Sequence, residues 1–286
     1  FLTQLGIDKG EVVDSEAYAS LLFKKGSQTT FTCKEIIAPF DFAATKLSAT
    51  GLKSFLTCKR QFYYRYIAKI KSHDIPQELP QEWEIGNLLH NTLKEVYTKN
   101  SSFQSVQALQ NSVESIFESL YESNPLVRYQ IKLWKKRLRD FYVNEIERFK
   151  AGYRVEACEQ EFTCKHEGIT LFGTIDRIDR RENSLEVLDY KSGSYTLYTK
   201  NSVEEATDFQ LEFYYLLAST FGELKGCGFY DLKSGEIISE SFLEEKLRLL
   251  TSHLATLRET KAFNFELCDN YDACKYCEFA LMCGRV

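Results

Sequence analysis

From residue 48 to about residue 151 the apolar positions recur every three to four residues, the period of amphipathic helices. Ser48 stands where an N-cap belongs, ahead of Leu52, Phe55, Leu56, Phe62 and Tyr63 at helical spacing. A loop over 72–82 holds two of the four prolines. Ile85, Leu88, Leu89 and Leu93 mark a second helix over 84–99, and further helices are predicted over 103–122 and 126–151. The period then changes. Residues 155–164, 169–179 and 184–191 read as three strands, joined by turns at His166-Glu167-Gly168 and Arg181-Glu182-Asn183. A helix over 203–220, strands over 226–231 and 236–242, and a helix over 243–260 complete the pattern. Residues 1–46 are mixed in character, with a short helix predicted over 15–25 and a strand over 28–37. The order predicts an α/β fold: a central mixed sheet, antiparallel in its first half, flanked by helices.

Composition narrows the class. The chain has 286 residues, 44% of them hydrophobic and 14% aromatic, enough to bury a large core. No apolar run approaches the eighteen or so residues a membrane helix needs, and no signal peptide follows Phe1. A soluble, cytoplasmic protein is expected, and the missing initiator Met points to a piece of a longer one. The net charge of −5 excludes a uniformly basic nucleic-acid binder, but not a local basic patch or a metal site built of acids. Lys132, Lys135, Lys136, Arg137 and Arg139 form such a patch in a segment whose plainest reading is a solvated helix face. The nine cysteines are an odd number, expected as thiols or metal ligands.

The chemistry concentrates in Gly173-Thr-Ile-Asp176 and Asp189-Tyr-Lys191. A hairpin would set Asp176 beside Asp189. Two close carboxylates repel unless a cation lies between them, and Mg²⁺ favours carboxylate oxygens. Lys191, two residues beyond Asp189, shares its face of the strand and could orient water or steady a phosphate. Such a centre could hydrolyse a phosphodiester. An Asp-x-Lys triplet is nevertheless common, and an ordinary surface hairpin remains open on these residues alone.

The surrounding motifs resemble the RecB-like branch of the PD-(D/E)XK nuclease superfamily over most of residues 47–286. Leu47–Cys58 with Gln61–Tyr66 is similar to that family's first helix. Gly86-Asn-Leu-Leu-His90 resembles its Gly-x-x-x-His motif, Asp176 and Asp189-Tyr-Lys191 its catalytic strands, and Gln210-Leu-Glu-Phe-Tyr214 its Gln-x-x-x-Tyr motif. The resemblance implies a restriction-endonuclease-like core with additional helices. His90, Asp176, Asp189 and the Tyr190 carbonyl would bind Mg²⁺ or Mn²⁺, and Lys191 would be catalytic. Gln210 and Tyr214, one turn apart, would touch DNA or support Lys191.

Cys268, Cys274, Cys277 and Cys283 crowd the last nineteen residues, the latter three as C-x₂-C-x₅-C. Three thiolates need a fourth ligand, with Cys58 and Cys268 as candidates, and spacing alone suits zinc or iron equally. The resemblance chooses Cys58. The iron–sulfur members of the branch, AddB subunits among them, imply a [4Fe–4S] cluster on Cys58, Cys274, Cys277 and Cys283, with Zn²⁺ as the alternative. It would tie the two ends of the domain together. Cys33, Cys158, Cys164 and Cys227 read as ordinary buried thiols.

The resemblance therefore implies a bacterial metal-dependent deoxyribonuclease that degrades single-stranded or end-processed DNA. It would be part of an AddB- or RecB-like helicase–nuclease in double-strand-break repair, working with a partner subunit. Residues 47–286 would be the nuclease domain and 1–46 the remnant of a helicase-like region. Lys53, Lys59, Arg60, Arg65 and the basic 132–139 stretch are the expected phosphate contacts. A DNA-binding scaffold with an inactive site is the rival reading.

Overall fold

The computed structural model describes residues 33–71, 81–119 and 125–285. The helix expected over 15–25, much of the strand over 28–37 and most of the 72–82 loop fall outside them.

Helix α1 (Ala49–Thr57) starts where the Ser48 hydroxyl accepts the Gly51 N–H, 3.1 Å away. It stops at Cys58, whose extended backbone (φ −157°, ψ 106°) turns the chain into α2 (Lys59–Phe62) and a wider turn over Tyr63–Ile67. The single helix expected through Tyr63 is thus broken at the cysteine. Helix α3 (Glu82–Lys99) is closed by a capping box in which Glu84 reaches back to the Gln81 N–H. Helices α4 (Val106–Ser119), α5 (Pro125–Arg137) and α6 (Arg139–Lys150) follow, so the stretch expected as one helix over 126–151 breaks at Leu138.

Strands β1 (Ile37–Pro39) and β8 (Ala262–Asn264) pair as a separate antiparallel ribbon. The main sheet has six strands. Strand β3 (Arg154–His166) pairs antiparallel with β4 (Ile169–Arg181), and β4 with β5 (Ser184–Lys191). Glu167 (φ 48°) and Gly168 (φ 77°) make the first hairpin turn, a backbone that matches the twist of the strands. Strand β6 (Glu223–Asp231) runs parallel to β5, with β7 (Ile237–Ser239) antiparallel at the edge. The short β2 (Lys46–Leu47) runs parallel to β4 at Thr170 and Leu171. The mixed sheet agrees with the expectation.

Because β3 occupies one edge of β4 throughout, β2 and β5 must share the other. They do so at different heights, β2 at 170–171 and β5 at 177–181. Residues 172–176 of β4 thus lie in a gap between two partners.

Helices α7 (Gln210–Ala218) and α8 (Leu243–Glu259) pack with α1 on one face of the sheet, where Leu185, Val187 and Ile178 point. Helices α3 to α6 cover the other face, where Leu188 and Tyr190 point. The helix expected over 203–220 is shorter, because the Tyr198 hydroxyl accepts the N–H groups of Thr207 and Asp208 and holds that segment outside any helix. Asp208 then accepts the Gln210 N–H.

A buried polar cluster locks α6 to the sheet. Fully buried Arg177 donates to both carboxylate oxygens of Asp179 (2.6 and 2.9 Å), to Glu145 (2.6 Å) and to the Tyr190 hydroxyl (3.2 Å). Tyr97 and Tyr230 also donate to Glu145. Every charge there is paired, which is the condition for burying charges at all. No helix among the described residues is long and apolar enough to cross a membrane.

Candidate active site

Strands β4 and β5 part just where the acids stand. Their ladder ends at Arg177 opposite Leu188, so Asp176 and Asp189 are the first residues beyond it. Side-chain alternation sends both to the α7 face, in line with Ile178 and Val187. Instead of a ladder bond, the Tyr190 N–H donates to the Asp176 carboxylate at 3.0 Å. Asp176 and Asp189 are both almost wholly buried.

Helix α3 brings in His90. Gly86, one turn earlier, lies beside Ser192 at the end of β5. His90 Nε2 lies 3.2 Å from the Tyr190 carbonyl oxygen, and Nδ1 lies 3.5 Å from Asp176 and 3.0 Å from Glu159.

Glu159 is the residue the sequence reading missed. It sits on β3 at a positive φ of 46°, an irregularity that swings a carboxylate against His90 and Asp176. A strand carrying Glu156, Glu159 and Glu161 gives no sign of which one turns inward.

From the other side α7 supplies Gln210 and Tyr214. The Gln210 amide donates to Asp189 (2.7 Å), and its carbonyl accepts from Lys191 (2.9 Å). The same amide is 3.2 Å from the Tyr214 hydroxyl. Lys191 Nζ also stands 2.7 Å from Asp189 Oδ2, off the axis of a hydrogen bond. His90, Asp176, Asp189, Tyr190, Lys191, Gln210 and Tyr214 are therefore all gathered. His90, Asp176, Gln210 and Tyr214 line a cleft of about 620 Å³, whose walls include Asn87, Thr174 and Gly173 in the gap of β4, and Asp189 and Lys191 adjoin it through Gln210.

The electrostatics are strained in one direction. Burial, Asp189 and Glu159 all push the Asp176 carboxyl well above its ordinary range, against the Tyr190 N–H and Lys191. Burial also raises Asp189, with Lys191 and His90 opposing it. A divalent cation would relieve this repulsion. One imidazole nitrogen with two carboxylates, His90, Glu159 and Asp176, has ligand atoms within 4.8 Å of one another. Asp189 Oδ2 is buried, with the Lys191 ammonium group 2.7 Å away as its counter-charge. The donor set fits a hard or borderline divalent ion.

Of the expected phosphate contacts on the first helices, Arg60 is corrected by its burial. Arg60 is buried at 3% exposure and donates to the carbonyls of Phe265 (2.6 Å) and Lys34 (2.7 Å). Arg65 pairs with Glu278, Lys59 with Glu266 and Lys53 with Asp208. None of the four lines the cleft. Their charges are spent on joining the first helices to the tail and to the start of α7.

The cysteines gather at that junction. Cys58 neighbours Cys268, Cys277 and Cys283, and Cys268 Sγ lies 3.9 Å from Cys274 Sγ. Burial and the adjoining thiols push Cys268 up to about 12 and Cys283 to about 11. Cys33 is not an ordinary core thiol either: it is half-buried, 3.1 Å from Arg60, and close to Cys283. Cys158 and Cys164 are half-buried, and Cys227 is buried as expected. The β1–β8 ribbon and Arg60 already join the ends of the domain by protein contacts alone.

A sequence profile of the PD-(D/E)XK nuclease superfamily matches residues 46–284, and the chain belongs to that superfamily. An uncharacterised protein of Rickettsia bellii is 27% identical over 194 residues, covering 65% of this chain and 23% of the relative. One from Rickettsia conorii is 30% identical over 172 residues, covering 56% of this chain and 20% of its own length. The chain thus spans about a fifth of the length of these curated relatives. A crystal structure from Eubacterium rectale, provisionally assigned as an exonuclease, is 12% identical with a TM-score of 0.43, covering 91% of this chain and 92% of its own.

Proposed function

We propose that this chain is a divalent-metal-dependent deoxyribonuclease whose reacting groups are Asp176, Asp189 and Lys191. The observation that carries the reading is that His90, Glu159 and Asp176 bring ligand atoms within 4.8 Å of one another, with Asp189 next to Asp176 and paired to Lys191. His90, Asp176, Asp189, the Tyr190 carbonyl and Glu159 would hold Mg²⁺ or Mn²⁺, the imidazole favouring Mn²⁺. A bound cation would polarise the phosphodiester and lower the pKa of water at the site. Lys191 steadies the charge that builds on the phosphate, and Gln210 holds its ammonium group in place. Gln210 also fixes Asp189, so one side chain aligns both groups.

In this reading the substrate is single-stranded or end-processed DNA, cut exonucleolytically. The parent is a bacterial helicase–nuclease of the AddB or RecB-like kind in double-strand-break repair, with a partner subunit. Residues 47–286 are its nuclease domain and 1–46 the edge of an upstream region. Cys58, Cys274, Cys277 and Cys283 carry a [4Fe–4S] cluster; the gathering of Cys58 with the tail thiols supports this. An absorption band near ~400 nm in anaerobically purified protein distinguishes that cluster from zinc. The function is tested with end-labelled single-stranded DNA and Mg²⁺ or Mn²⁺. Wild type should degrade it and Asp189→Ala should not. Binding without cleavage by both would favour an inactive scaffold, and equal cleavage by both would remove the site assigned here.

A further inference from the structure

Beyond α3 lies a second groove, of about 280 Å³, whose floor and walls come from four places in the fold. Ser192 and Gly193 follow directly on Lys191. Glu82 and Ile85 come from the first turn of α3, Gln130, Trp134 and Arg137 from α5, and Lys233 from the turn between β6 and β7. The groove therefore begins at the residue next to the reacting lysine, just past the end of β5. Helix α3 borders both places, with Glu82 and Ile85 on this groove and Asn87 and His90 on the catalytic cleft.

Its cations are uncommitted. Arg137 is exposed and lies 5.4 Å over the Trp134 ring, which is stacking and not charge neutralisation. Among the described residues, Lys135 is the α5 lysine with acidic partners, Glu114 and Glu118, and Arg137 and Lys233 form no ion pair. Among the described residues, two unpaired cations from separate elements thus border one groove against a single carboxylate, Glu82, in a chain of net charge −5. Lys132 and Lys136, also exposed and unpaired, extend the positive surface along α5.

We propose that this groove binds the phosphodiester backbone of a single-stranded polynucleotide next to the phosphate that is cut, with Arg137 and Lys233 as the phosphate contacts. The inference rests on the nuclease reading and gives it a path for the substrate strand. Arg137 offers a planar fork suited to phosphate oxygens, and the indole beneath it limits the positions it can take.

The test is binding of fluorescent oligothymidylate without divalent metal, at several salt concentrations. Arg137→Gln and Lys233→Gln are compared with Lys225→Gln, an exposed lysine six residues before Asp231 on β6, about 20 Å along that strand. Each groove substitution should weaken binding several-fold and reduce the slope of log K against log salt by about 0.7. Lys225→Gln should do neither. Groove variants that match Lys225→Gln, or a wild type that binds a duplex of the same sequence as tightly and with the same dependence on Arg137, would overturn the proposal. Hydrolysis of the small diester bis(4-nitrophenyl) phosphate by wild type, and its loss in Asp189→Ala, tests the nuclease reading separately, since that ester is too short to span both places.

Discussion

Replacing Asp176 by Asn should act in opposite directions with and without a divalent cation. The wild-type carboxyl is buried against Asp189 and Glu159, and its folded pKa lies well above 3.8. Such a group contributes stability that is fully present below 3.8 and is lost as the pH rises through the folded pKa. Without metal at pH 7.5, Asn removes a charge that the fold holds at a cost, while its side-chain oxygen can still accept the Tyr190 N–H. The metal-free variant should equal or exceed wild type in stability at pH 7.5, and that advantage should vanish as the pH falls towards 4. With metal the order reverses. A cation at a hundred times its Kd adds about 2.7 kcal/mol to the protein that binds it. In a domain of this size that is a rise of roughly 5–10 °C in Tm. The assay is thermal unfolding in EDTA, Mg²⁺, Mn²⁺ and Ca²⁺ from pH 4 to 8. A variant clearly destabilised in EDTA at pH 7.5, yet still raised by metal as much as wild type, would refute the reasoning.

Glu159→Gln should weaken Mn²⁺ binding at least about tenfold by calorimetry, because the His90 partner is then neutral; unchanged affinity would remove Glu159 from the site. Arg177→Met leaves Glu145 buried without its cation and Asp179 with Arg148 alone, so urea unfolding should show a loss of about 3–5 kcal/mol, and a loss below ~1 kcal/mol would mean the cluster is not a lock. Gln210→Leu, which frees both Lys191 and Asp189, should lower kcat far more than it changes the Kd for DNA. Cys58→Ser should abolish any iron–sulfide absorption while leaving the β1–β8 ribbon intact, as judged by unchanged exchange protection of Phe265 N–H.

Much of this arrangement could be read from residue order. The periods of 3.6 and 2 located the strands from 155 to 191 to within a few residues, and Asp189 and Lys191 followed onto one face by alternation alone. Other features depend on distant contacts that no local pattern encodes. Glu159 enters the site through a backbone irregularity in β3. The breaks at Cys58 and Leu138 interrupt helices whose apolar spacing continues through them. The basic residues of α1 and α2 resembled phosphate contacts because charge alone was visible. Their partners Glu266, Glu278 and the Phe265 carbonyl lie some two hundred residues away. Cys33 looked like a core thiol for the same reason: its neighbours Arg60 and Cys283 are remote in sequence.

The most direct test of the central claim compares cleavage and metal binding in Lys191→Met. If this cleft hydrolyses phosphodiesters with a cation held by His90 and the acids, the variant should bind Mn²⁺ with near wild-type affinity. It should also lose single-turnover cleavage of single-stranded DNA by a factor of a hundred or more, on the order expected for removal of one charge-stabilising group. Cleavage at the wild-type rate by a folded, metal-binding Lys191→Met protein would contradict the account.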